Sequence, residues 1–79
     1  FSYKCEKNII MEYVNKFKDN IKELRMEKGL GQTELAKMLG VSKGVISLWE
    51  NGLREPGMYS LILLAKFFGV SIDELVGID

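Results

Sequence analysis

Histidine is absent from this 79-residue chain, and cysteine occurs only once, at Cys5. Without an imidazole there is no Ser-His or Cys-His proton shuttle and none of the common zinc sites. A single thiol closes no intrachain disulfide, which fits a reducing cytoplasm, and Cys5 is read as inert. Long apolar runs are missing as well: "SLILLA" and "FFGV" are interrupted by Lys66 and Gly69. No segment approaches the roughly 20 residues of a membrane span, so no membrane partner is expected. A signal-peptide pattern is also lacking. No nucleophile–base pair, metal cluster or phosphate-cradling loop is present, so the chain reads as a non-enzyme without cofactor or metal. Net charge is the last absence, with 11 basic residues against 11 acidic ones. For a nucleic-acid reading that is a caution, because phosphate neutralisation drives affinity.

The charge is nevertheless uneven. Val14 to Lys28 holds five cations against three anions, whereas Gly57 to Asp79 holds one against three. A mild dipole along the chain results. Apolar residues make up 47% of the sequence, enough for one small domain to bury a core without metals or disulfides.

Glycines punctuate the chain at Gly29, Gly40, Gly52 and Gly69, each after a stretch of helical apolar spacing. Phe17, Ile21 and Leu24 line one face of a first helix, about Tyr13 to Lys28. Leu35, Ala36 and Leu39 do so in a second, about Gln32 to Leu39. Val45, Ile46 and Trp49 belong to a third, about Lys43 to Asn51, with Ser42 as its N-cap. Pro56 precedes a fourth, about Met58 to Phe68, facing inward with Leu61, Leu64, Ala65 and Phe68. "SIDE", Ser71 to Glu74, is a capping-box pattern that opens a fifth through Val76 and accounts for Asp73 and Glu74. No segment shows strand alternation. The reading is all-α, a compact bundle of five helices.

Only Gly40, Val41 and Ser42 separate the second helix from the third. So short a turn, opening on glycine, forces a large crossing angle, as a helix-turn-helix requires. Within the third helix Gly44 is odd as a weak helix former. Leu48 is odd as an exposed leucine where no neighbouring turn needs an apolar residue.

The stretch "LRMEKGLGQTELAKMLGVSKGVISLWENGLREP", followed by "LLAKFFGVSIDEL", resembles the Cro/CI-type helix-turn-helix family over about Phe17 to Val76. The resemblance implies a lambda-repressor-like bundle that binds double-stranded DNA in a sequence-specific way, usually as a dimeric transcriptional regulator. The domain would span 13–79, with its motif at 32–51. Position by position, Gln32, with Thr33 beside it, would hold a phosphate at the positive end of helix two. Asn51 and the Gly52–Leu53–Arg54 backbone would grip the same strand. Ser42, Lys43, Gly44, Ser47 and Leu48 would face bases as helix 43–51 enters the major groove.

Many relatives carry glutamine or arginine where this chain has Gly44 and Leu48. Such side chains bond base edges bidentately, each worth ~1–3 kcal/mol of discrimination. Direct readout therefore rests mainly on Lys43, with Ser42 and Ser47 assisting, and DNA shape supplements a modest sequence preference. Glu50 is read as a structural partner for a basic residue near helix one or for Arg54.

Residues 1–12 form an N-terminal extension, expected as an extra helical turn or an arm; Met11 offers an alternative start. Tyr59, Leu63 and Phe67 recur every four residues beside the inward face of helix four, a surplus apolar strip that needs cover. Two covers are available: the extension, through Ile9, Ile10, Tyr13 and Val14, or a second subunit in a homodimer. The leading reading is a cytoplasmic, nucleoid-associated repressor of phage, mobile-element or bacterial origin. The alternative is an antitoxin or protein-interaction module, using the same scaffold with weak DNA readout and a protein partner.

Overall fold

The computed structural model describes residues 3–78, with side chains from residue 12 onward. Five helices follow one another: α1 (Tyr3–Glu27), α2 (Gln32–Leu39), α3 (Lys43–Glu50), α4 (Met58–Phe68) and α5 (Ile72–Val76). Among the described residues there is no strand. The readings of Cys5 and of the Ile9 and Ile10 side chains lie outside what is described. α1 starts at Tyr3, well before the Tyr13 that apolar spacing suggests. Neither glycine nor proline occurs between residues 3 and 28, so nothing in the backbone stops the helix earlier.

The α2–α3 turn is built from local chemistry. Gly40 sits at φ +73°, and its N–H donates to the carbonyls of Ala36 and Lys37. Val41 N–H donates to the Ala36 carbonyl at 3.0 Å. That pattern satisfies the last carbonyls of α2 and requires the left-handed conformation that glycine adopts without a Cβ penalty. Two residues later the Ser42 hydroxyl accepts the Val45 N–H at 3.2 Å and starts α3. Three residues thus end one helix and start the next.

Every helix contributes to one core. Ile21, Leu35, Ile46, Leu64 and Leu75 are fully buried, joined by Phe17, Ala36, Trp49 and Ala65. Leu24, Leu39, Val41, Val45, Leu61 and Phe68 pack partly buried around them. The helical spacing therefore identified the inward faces, except that Leu75 of α5 is a full core member. Five residues make a marginal helix by themselves, and α5 is held from α1. Asn20 Nδ2 donates to the carbonyls of Glu74 and Leu75 at 3.2 and 3.1 Å. At its start the Ser71 hydroxyl accepts the Glu74 N–H at 3.0 Å.

Candidate nucleic-acid interface

α3 turns Ile46 and Trp49 inward, which leaves Ser42, Lys43 and Gly44 exposed on the outer side. Ser47 and Leu48 lie on the same side and are half-buried. Leu48 is therefore less exposed than its position in the sequence suggested. The turn after α3 stays tied to that residue: Leu53 N–H donates to the Leu48 carbonyl at 2.9 Å.

Gly44 answers to no demand of the fold. A Cβ built on it meets only the Ser42 hydroxyl, at 3.8 Å, an ordinary contact. Its backbone is helical with no positive φ. Gly44→Ala is accordingly expected to stabilise the domain, by up to ~1 kcal/mol on helix propensity. Urea unfolding followed through Trp49 fluorescence checks this. If the same substitution weakens a bound duplex, the missing side chain serves the ligand and not the fold.

The N-terminus of α2 has no side-chain cap. The first-turn N–H groups of Gln32, Thr33 and Glu34 accordingly lack helical partners and face outward as anion donors. The N–H of Gly31, just before them, is occupied by Glu34 Oε1 at 3.0 Å. Gln32 has a second task. Its Nε2 donates to Glu50 Oε1 at 3.1 Å, leaving one amide hydrogen and the backbone N–H for a phosphate.

That bond belongs to a three-residue network. Arg25 Nε donates to Glu50 Oε2 at 2.7 Å and a second guanidinium nitrogen to Oε1 at 3.0 Å. The third nitrogen donates to the Leu30 carbonyl at 2.8 Å. The side chains are only 11% and 4% exposed, so the pair is shielded and bidentate. The hydrogen bond that Arg25 donates to Glu50 pushes the guanidinium above its ordinary pKa, against desolvation. The network ties the end of α1, the start of α2 and the end of α3 together, and so fixes how the outer face of α3 is presented. Of the two partners foreseen for Glu50, the cation near helix one is the one in place.

The turn after α3 is more internally occupied than expected. Asn51 Nδ2 donates to the Ser47 carbonyl at 2.8 Å and to its hydroxyl at 3.3 Å. The backbone N–H groups of Asn51, Gly52 and Leu53 donate to the carbonyls of Ser47, Trp49 and Leu48. Of the four residues in this turn expected to grip a phosphate, Arg54 supplies the cation, and its guanidinium makes no ion pair among the described residues. Sequence reasoning missed Lys18 of α1. Its side-chain Cδ lies 3.2 Å from where a Gly52 Cβ would stand, so a second cation flanks this turn. Only the tertiary fold brings residue 18 to residue 52.

The strip on α4 needs correcting. Tyr59 is 75% exposed, but Leu63 and Phe67 are half-buried. Phe67 packs on the core, meets Phe68 edge-on at 5.1 Å, and has the Lys28 ammonium 5.3 Å from its ring centre. The exposed apolar patch instead joins Tyr59 to Met58, at 77%, and Ile62, at 40%, which share a face at helical spacing. A helical wheel does not show that Lys28, just past the end of α1, lies over the Phe67 ring. Among the described residues no helix is long and apolar enough to cross a membrane.

A family model described as helix-turn-helix (HTH_3) matches residues 21–75, most of the chain. The chain is 47% identical over 60 residues to the HTH-type transcriptional activator BcrR of Enterococcus faecalis, covering 76% of this chain and 29% of BcrR. It is 42% identical over 60 residues to the cryptic phage CTXphi transcriptional repressor RstR of Vibrio cholerae, covering 76% of this chain and 54% of RstR. The fold is similar to the crystal structure of an HTH_3 family transcriptional regulator from Vibrio cholerae, with a TM-score of 0.73 at 25% identity. That match covers 87% of this chain and 39% of the other. The chain thus spans about half or less of the length of these relatives.

Proposed function

The chain belongs to the helix-turn-helix family, and we propose that it binds double-stranded DNA as a transcriptional regulator, with α3 in the major groove. One observation carries this reading. On the outer side of α3, Ser42, Lys43 and Gly44 are exposed among the described residues, and the bare N-terminus of α2 and the cations Lys18, Lys43 and Arg54 flank that side. In this reading the free N–H groups of α2, with Gln32 and Thr33, seat a phosphate and set the register. Arg54 and Lys18 hold a neighbouring phosphate past the far end of α3. Lys43 reaches a base edge or phosphate, and Ser42 and Ser47 keep hydroxyl hydrogens free to donate. Gly44 and Leu48 contribute shape and an apolar contact for a thymine methyl.

Two copies pair through the patch of Met58, Tyr59 and Ile62, presenting their α3 helices about one DNA turn, ~34 Å, apart. The protein acts in the cytoplasm, at the nucleoid when bound. Relatives named as an activator and as a repressor both match, and of the two roles we favour repression by occupancy.

The test is a salt series with a labelled duplex. Three cations per protomer predict a slope of log K against log salt near −2.7 per half-site, about −5 for a dimer. A slope near zero contradicts the reading. Tyr59→Asp is expected to shift sedimentation from dimer to monomer without loss of helicity. A wild-type chain that sediments as a clean monomer at high micromolar concentration contradicts the dimer.

A further inference from the structure

An apolar cavity of about 280 Å³ lies between α1, the α3–α4 turn and the C-terminal end of α5. Its floor is Phe17 and Trp49, its sides include Val14, Leu61 and Val76, and Arg54 and Glu55 stand among its few charged lining residues. We propose that this cavity binds a small amphipathic carboxylate, its carbon chain against Trp49 and its carboxylate on Arg54, and that occupancy weakens DNA binding.

Size and charge select this ligand class. The volume is nearly twice the ~150 Å³ of an engineered apolar cavity that takes up benzene, enough for a chain of about eight carbons. The lining is chiefly apolar, and Arg54 is its one cation. That guanidinium makes no ion pair among the described residues; the two ion pairs found are Lys16–Glu12 and Arg25–Glu50. Glu55 is its neighbour in the lining, and the Lys18 side chain packs at Gly52 on the same edge.

The link to DNA follows from shared parts and rests on the DNA-binding reading above. Gly52 and Arg54 belong both to the cavity wall and to the turn that follows α3. A carboxylate on Arg54 withdraws that cation from a phosphate, so ligand and DNA compete.

Trp49 is the only tryptophan and reports occupancy without any DNA. Octanoate is expected to change its emission saturably with one site per chain. Octanol should do the same more weakly. Arg54→Gln should weaken octanoate by about fivefold, the scale of one exposed ion pair, and leave octanol unchanged. Val14→Phe, which fills the cavity, should remove both responses while circular dichroism stays helical. Should that variant misfold, amide chemical shifts of Gly52, Leu61 and Val76 in the wild type serve instead, and must move with octanoate. No saturable response below about 5 mM, amide shifts elsewhere in the protein, or octanoate binding indifferent to Arg54→Gln overturns the site. With the site established, octanoate should raise the Kd for a bound duplex severalfold; an unchanged Kd overturns the competition. A chain that binds octanoate but no DNA refutes the DNA-binding reading and leaves the cavity assignment standing.

Discussion

Glu50→Ala is expected to cost about 3–5 kcal/mol, the scale for leaving one partner of a shielded pair without its countercharge. The Arg25 guanidinium then keeps only the Leu30 carbonyl, and Gln32 Nε2 loses its acceptor. A domain of this size has total stability of about 5–10 kcal/mol, so the loss takes about a third of it or more. Glu50→Gln keeps the shape and one acceptor oxygen and should cost less. Urea titrations followed by circular dichroism give both values. Replacing both partners, with Arg25→Met and Glu50→Leu, should recover much of the loss, because it removes the stranded charge instead of exposing it. A Glu50→Ala loss below about 1 kcal/mol would mean that the network holds little, and that α3 is oriented by the core alone.

Lys43→Ala, seven residues earlier on the same helix, should show the opposite profile. Lys43 is exposed, and no hydrogen bond or ion pair involving it occurs among the described residues. Stability should therefore stay within ~0.5 kcal/mol of the parent. DNA affinity should fall by ~1–3 kcal/mol per half-site, hence at least about thirtyfold for a dimer. The accompanying change tells which atom Lys43 meets. A phosphate contact lowers the salt slope by about one per protomer across all sequences. A base contact instead relaxes preference at a single position. Unchanged affinity would remove the main reader from α3 and with it the proposed mode of docking.

Much of this fold was legible in the sequence because its punctuation is local. Gly40 and Ser42 bound the turn by backbone conformation and capping, two effects that neighbours in sequence determine. Ile21, Leu35, Ile46 and Leu64 announce the inward faces by spacing alone. The start of α1 was less legible, since residues 3 to 12 carry neither a cap nor a sustained apolar stripe to mark a boundary. Leu63 and Phe67 looked like surplus apolar surface because the sequence does not show which helices cross. The candidate site divides the same way. Lys43, Gly44, Ser47 and Leu48 lie away from the buried Ile46 and Trp49 by helical period, with Ser42 as the N-cap. Gln32 engaging Glu50, Asn51 closing back on Ser47, and Lys18 reaching Gly52 depend on contacts between elements, and no local pattern encodes them.

The most direct test of the central claim is a selection from a random duplex library at ~0.1 M salt, where non-specific phosphate binding is partly suppressed. The account predicts an enriched pseudo-palindrome with half-sites about one helical turn apart. Few bases should be strongly fixed under α3, because Gly44 and Leu48 supply no hydrogen bonds there. Recovery of no motif, with only weak salt-sensitive binding left, would contradict it.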